Sequence, residues 1–125
     1  MTAKTIIITA GVIALLGVAI GAFGAHSLED ILTKNQRHDT FETAVQYQFY
    51  HAGALFIVGL LMLKAEHKFF RIAAAAFIIG VVIFSGSLMA LSITNITVLG
   101  AITPIGGLAF ILGWFYLILG AHKTL

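Results

Sequence analysis

The sequence predicts an all-α, polytopic membrane protein, a bundle of four transmembrane helices with both the N and C termini in the cytoplasm. Three observations carry that expectation. Hydrophobic residues make up 60% of the 125 positions and charged residues only 10%, where soluble domains hold about 25% charged residues. Four continuous apolar runs each reach the roughly 20 residues that a helix needs to cross about 30 Å of hydrocarbon. Lys and Arg are distributed unevenly over the connections between those runs. Mean hydropathy is +1.05, and the length admits a single transmembrane domain over residues 1–125.

The first run covers residues 5–25. Lys4 and the small residues Ala22-Phe-Gly24 give it some likeness to a secretory leader. Its apolar stretch is longer than a usual leader core, and Gly17-x-x-x-Gly21-x-x-x-Ala25 suits helix packing in lipid. It is therefore expected to be retained as a membrane helix.

Residues 27–39 form the longest connection, expected outside the cytoplasm. Ser27 before Leu28, Glu29, Asp30, Ile31 and Leu32 resembles a capped short helix, its apolar residues facing the membrane interface. Asp39 is expected to cap the second membrane helix, over residues 40–63, by accepting from its free N–H groups.

The third run covers residues 72–93 and the fourth 97–120. Alternation with a period of two is missing throughout, which argues against a β-barrel. With the N terminus inside, Lys4, Lys64, Lys68, Arg71 and Lys123 are cytoplasmic and only Lys34 and Arg37 are outside, as the positive-inside rule requires. Trp114 and Tyr116 fall toward the cytoplasmic end of the fourth run and read as interfacial anchors.

Glycines mark the expected packing faces. They are Gly17 and Gly21 in the first helix, Gly86 in the third, and Gly106, Gly107 and Gly113 in the fourth, where Gly106, Gly113 and Gly120 recur every seven residues.

Polar residues inside the runs are the candidate site. A polar ionisable group in a membrane span is a functional-site hypothesis by default, and His51 is the clearest. At about 1.5 Å of rise per residue it is expected on the order of 10 Å below the outer interface. Gln48 precedes it by three residues and Tyr47 by four, so the three share a face. Ser85, Ser87, Thr103 and Pro104 fall at similar depth, and His26 ends the first helix on the same side. Two arrangements satisfy these residues. In one, His51 bonds to Gln48, Ser85, Ser87 or the Gly100 carbonyl released by Pro104. In the other, the cluster lines an outward-open crevice for water, an ion or a small ligand.

Several chemistries are disfavoured. There is no cysteine, so disulfides and thiolate chemistry are excluded. His26, His38 and His51 with Glu29 or Asp30 have no recognised metal spacing, and no metal or other cofactor is expected. Ser85 or Ser87 could pair with His51 as nucleophile and base, but no third member or surrounding motif accompanies them. A proton path calls for titratable groups through the full depth, and none continues inward from His51. The small, scattered net charge of +2 points away from nucleic acid.

The first functional reading is a non-enzymatic membrane protein that binds a lipid headgroup, small ligand or membrane partner at this outward polar cluster. The alternative is a small transporter or channel component built by oligomers, and an intramembrane enzyme comes third. The expected partners are membrane lipid, a second copy of the chain, or another membrane protein.

Five segments together resemble a known family. They are Gly21-Ala-Phe-Gly-Ala-His26, Tyr47-Gln-Phe-Tyr-His51-Ala, Phe84-Ser-Gly-Ser-Leu88, Thr103-Pro-Ile-Gly-Gly107 and Gly113-Trp114. In this order they are similar to the YgdD/YwdK-like small four-helix membrane proteins of unknown function, which have a small eukaryotic transmembrane relative. Met89 departs from the aromatic residue expected after Leu88. The resemblance implies a multi-pass protein of the bacterial cell (inner) membrane and brings no activity, substrate or cofactor.

Overall fold

The computed structural model describes residues Met1–Leu125, and every element is helical. Helix α1 spans Ala3–Ser27, α3 His38–Lys64, α4 Lys68–Thr94 and α5 Thr97–Thr124, all long and apolar enough to cross a membrane. A short helix α2, Glu29–Asn35, bridges α1 and α3.

The ends of these helices differ from the sequence expectation. Ser27 belongs to the last turn of α1, and α2 begins after Leu28 with no side-chain cap. α3 begins at His38, so Asp39 lies inside its first turn and acts on the helix dipole rather than as a cap. Thr2 caps α1 by accepting from the Thr5 amide, and His67 caps α4 by accepting from Phe69. Gln36 and Asn95 stop α2 and α4 in the left-handed conformation, with φ of 55° and 56°. Asn suits that conformation because its short amide bonds locally.

The helices pack in the order α1–α3–α4–α5, each antiparallel to the next. α3 and α4 are central and bury the larger shares of their surface, while α1 and α5 flank them. Both chain termini therefore lie at one end with the α3–α4 turn, and α2 lies at the other. Flanking helices present Leu15, Val18, Ile111 and Ile118 outward, as a lipid-facing surface requires.

Two glycine interfaces set the spacing. Along α4 and α5, Phe70, Phe77 and Phe84 face Gly120, Gly113 and Gly106, while Gly80 faces Phe110 in the opposite sense. Seven residues is about two helical turns, so each pair sits directly above the last. The rings fill the space that glycine leaves, and close backbone approach replaces the hydrophobic drive missing in lipid. Between α1 and α3, Gly17 meets the Phe49 ring, Gly21 meets Val45, and Gly59 meets Ile6 and Ile7. Gly86 departs from expectation: it is exposed, with open space where a Cβ would stand.

The end bearing α2 is tied down by side chains. Asn35 Nδ2 donates to the carbonyls of Ser92 and Ile93 at 3.0 and 3.1 Å, and Arg37 Nε donates to Asn95 Oδ1 at 3.0 Å. Asn35 thereby satisfies carbonyls in the last turn of α4, which lack full intrahelical pairing. Leu32 is buried beneath α2.

Candidate functional site

His51 is the middle residue of the 27-residue α3. Thirteen residues of α3 precede it and thirteen follow, so it stands midway along the helix. Its Nδ1 lies 2.8 Å from the Tyr47 carbonyl, and Trp114 Nε1 donates to its Nε2 at 3.1 Å. A carbonyl only accepts and an indole N–H only donates. The two partners thus assign the neutral imidazole with its proton on Nδ1. The ring also stacks on Phe110, with centroids 3.5 Å apart and planes 7° from parallel.

The other expected site residues are buried but do not join His51. Gln48 Nε2 reaches the Ile13 carbonyl of α1 at 2.9 Å. Ser85 Oγ donates to the Ala44 carbonyl of α3 at 2.7 Å. Ser87 Oγ lies 3.0 Å from the Phe84 carbonyl and 2.6 Å from Thr103 Oγ1. Thr103 Oγ1 in turn lies 3.4 Å from the Leu99 carbonyl, so the two hydroxyls share their protons between each other and two backbone carbonyls. The single network expected around His51 is replaced by four separate ties, one between each of several helix pairs. No serine meets His51, so a serine–histidine dyad does not form. His26 is exposed and makes no contact with the others.

Pro104 also acts differently from the expectation. It sits in the first turn of the α-helical part of α5, just after the tighter 3-10 segment Thr97–Ala101. Proline is well tolerated there, because its missing N–H would have had no intrahelical partner. The Gly100 carbonyl receives no side-chain donor from His51.

The structure instead brings His51 into a lateral groove. α3 and α5 make no extended backbone contact with each other, and α4 forms the floor between them. The groove encloses about 650 Å³ and is lined by Tyr47, Tyr50, His51, Phe84, Pro104, Gly107, Leu108, Phe110, Ile111 and Trp114. None of these residues is charged. Tyr47 and Phe84 pack with ring centroids 4.5 Å apart, and Tyr47 meets Tyr50 edge-on at 5.7 Å. The floor of the groove lies against a π-helical segment of α4, Val81–Ser85. Such wide turns recur at functional sites, because they re-aim side chains within an otherwise regular helix. Here Phe84 is directed toward Tyr47 and Ser85 toward the Ala44 carbonyl.

Trp114 was expected at the membrane interface and instead closes on the middle of α3. Its pairing with His51 spans 63 residues of sequence. Nothing local in the Gly113-Trp114 segment indicates that partner. The recurrence of Phe70, Phe77 and Phe84 every seven residues was a readable signal, matching that of Gly106, Gly113 and Gly120.

A second concavity, of about 280 Å³, lies under α2 and includes Glu29, His38, Glu42 and Gln46. His38 Nε2 is 3.1 Å from Thr33 Oγ1 and 3.7 Å from Glu29. No group of three or more His, Cys, Asp or Glu side chains is arranged to hold a metal ion.

Comparison with known proteins gives a consistent result. A family model described as "Protein of unknown function (DUF423)" matches residues 20–107. The UPF0382 membrane protein YwdK of Bacillus subtilis is 44% identical, over 98% of this chain and 99% of the relative. A UPF0382 membrane protein of Staphylococcus haemolyticus is 43% identical over 96% of this chain and 97% of its own length. The inner membrane protein YgdD of Escherichia coli is 31% identical over 98% and 93%. No solved structure matches the chain.

Proposed function

This chain belongs to the DUF423 family and is a multi-pass bacterial membrane protein, and we propose that it binds a membrane-dissolved amphiphile in the α3–α5 groove. The observation that carries this reading is a pair of tyrosine hydroxyls, on Tyr47 and Tyr50, that find no hydrogen-bond partner in the protein. Both residues lie within four positions of the middle of α3 and line the groove. A hydroxyl without a partner in hydrocarbon is costly. A ligand with its polar end at that depth removes the cost.

The volume of about 650 Å³ falls in the range of small-molecule sites. The walls are mostly aromatic and apolar with a few convergent polar groups, the usual composition of such sites. The role is binding rather than catalysis, because the serine hydroxyls are engaged by backbone carbonyls and His51 is engaged at both nitrogens. The proposal includes cytoplasmic termini, for which the excess of Lys and Arg at the terminal end is the support.

Trp114 is the only tryptophan and faces the groove, so its fluorescence reports occupancy. The test reconstitutes the protein with phospholipid brominated at mid-chain. Bromine is expected to quench Trp114 strongly in the unmodified protein. It should quench far less in Gly107→Leu, whose added side chain fills the groove. Equal quenching in both proteins would count against the reading.

A further inference from the structure

We infer that the occupant of this groove is a neutral, planar ring with carbonyl acceptors on a long apolar tail, the chemistry of a polyprenyl quinone. The inference rests on the groove reading above and adds the class of ligand.

Three features select that class. The first is charge. No Lys, Arg, Asp or Glu lines the groove. A phosphate or ammonium head would be buried near the middle of α3 with no counter-charge, which the membrane interior strongly disfavours. The polar end of the ligand is therefore neutral.

The second is the set of unfilled hydrogen-bonding roles. His51 Nδ1 is taken by the Tyr47 carbonyl, and its Nε2 by Trp114. The Trp114 N–H is consumed in the same bond. What remains is two phenolic O–H donors, Tyr47 and Tyr50, on adjacent turns of one helix, their rings 5.7 Å apart. Two donors call for a ligand with acceptors, and a carbonyl offers acceptor lone pairs without charge.

The third is shape. Tyr47, Tyr50, Phe84 and Trp114 present four aromatic side chains to the groove, while Phe110 is buried with its face on His51. Aromatic rings favour offset-stacked or edge-on contact with another flat ring. A flat dicarbonyl ring uses those faces, whereas the ester linkage of a diacylglycerol is flexible and has no π face. The apolar tail leaves past the exposed Leu108 and Ile111, which are 60% and 65% exposed to the lipid side. A neutral ring on a prenyl tail dissolves in hydrocarbon and reaches the middle of the span without crossing a polar barrier.

The test places the full-length protein in phosphatidylglycerol nanodiscs free of quinone and titrates it with a decyl-substituted benzoquinone. Trp114 fluorescence is the readout. Saturable quenching is expected. The double substitution Tyr47→Phe with Tyr50→Phe should weaken apparent affinity about tenfold, the effect of losing two modest hydrogen bonds. Tyr50→Phe alone, at a side chain 58% exposed, should weaken it less and keep the fold intact. Quenching by mid-chain bromolipid should persist in both variants. Quenching that rises without saturating, equally in all three proteins, would overturn the inference and leave the groove reading intact, provided bromolipid quenching still depends on Gly107→Leu. Displacement of the benzoquinone by dioctanoylglycerol at comparable concentration would also overturn it, in favour of an ester lipid. If Gly107→Leu alters neither quencher's effect, the groove reading and the inference fall together.

Discussion

Trp114 of α5 donates a hydrogen bond of 3.1 Å to His51 at the centre of α3, across a groove where the two helix backbones do not pack. This bond and the His51–Phe110 stack hold α3 and α5 at a fixed separation. Replacing Trp114 by Phe keeps the aromatic bulk and removes the donor. Hydrogen bonds between membrane helices average about 0.6 kcal/mol and reach about 1.7 kcal/mol. Trp114→Phe should therefore cost an amount in that range, read from unfolding in mixed detergent. His51→Ala should cost more, because it also deletes the stack and leaves the indole N–H unpaired. A double-mutant cycle with no coupling between the two positions would contradict the bond.

The glycines of α5 should differ in tolerance. A Cβ at Gly106 would collide with the backbone of Phe84, which cannot rotate aside, while one at Gly113 would meet the Phe77 ring at 2.5 Å. Overpacking typically costs about 1–3 kcal/mol. Gly106→Ala is expected at or above the top of that range and Gly113→Ala within it. Gly86→Ala should be neutral or slightly stabilising, since glycine costs a helix up to about 1 kcal/mol. Equal effects at Gly86 and Gly106 would refute the packing described for α4 and α5.

Asn35 links α2 to the last turn of α4. Asn35→Ala removes both bonds to the Ser92 and Ile93 carbonyls. The bonds are partly solvated, so the net loss should be about 0.5–1.5 kcal/mol. It should be local: amide hydrogen exchange is expected to accelerate in α2 and at the start of α3 and to stay unchanged along α5. Acceleration spread evenly through the protein would argue against a local latch.

The proposed orientation is tested by single cysteines in this cysteine-free chain. A membrane-impermeant thiol reagent applied to intact cells should label Lys34→Cys and leave Lys123→Cys unlabelled until the membrane is opened. The reverse pattern would overturn cytoplasmic termini.

The heptad of Gly106, Gly113 and Gly120 was legible as a packing face, and the polar residues Gln48, His51, Ser85, Ser87 and Thr103 were legible as unusual in lipid. Their partners were not. Gln48 turns to α1, Ser85 to the backbone of α3, and Ser87 to Thr103, although depth alone allowed all of them to meet His51. Depth is a property of one helix, whereas a bond also depends on the direction in which each residue points and on which helix stands there. The π-helical turn at Val81–Ser85 alters that direction for everything around it. The same holds for Trp114, since an aromatic residue ten positions from a helix end fits an interfacial belt until its neighbour is known.

By itself the sequence determined that this protein lives in a membrane, how many times it crosses, and which family it joins. Hydropathy adds up along a contiguous stretch, and lipid leaves a single contiguous stretch little choice but a helix. Tertiary structure alone decided that α3 and α5 stand apart over α4, that His51 pairs with Trp114, and that Tyr47 and Tyr50 line the gap. In lipid the outer and inner faces of a helix are nearly equally apolar, so sequence pattern marks neighbours weakly. Close fit between particular rings and particular glycines chooses them instead.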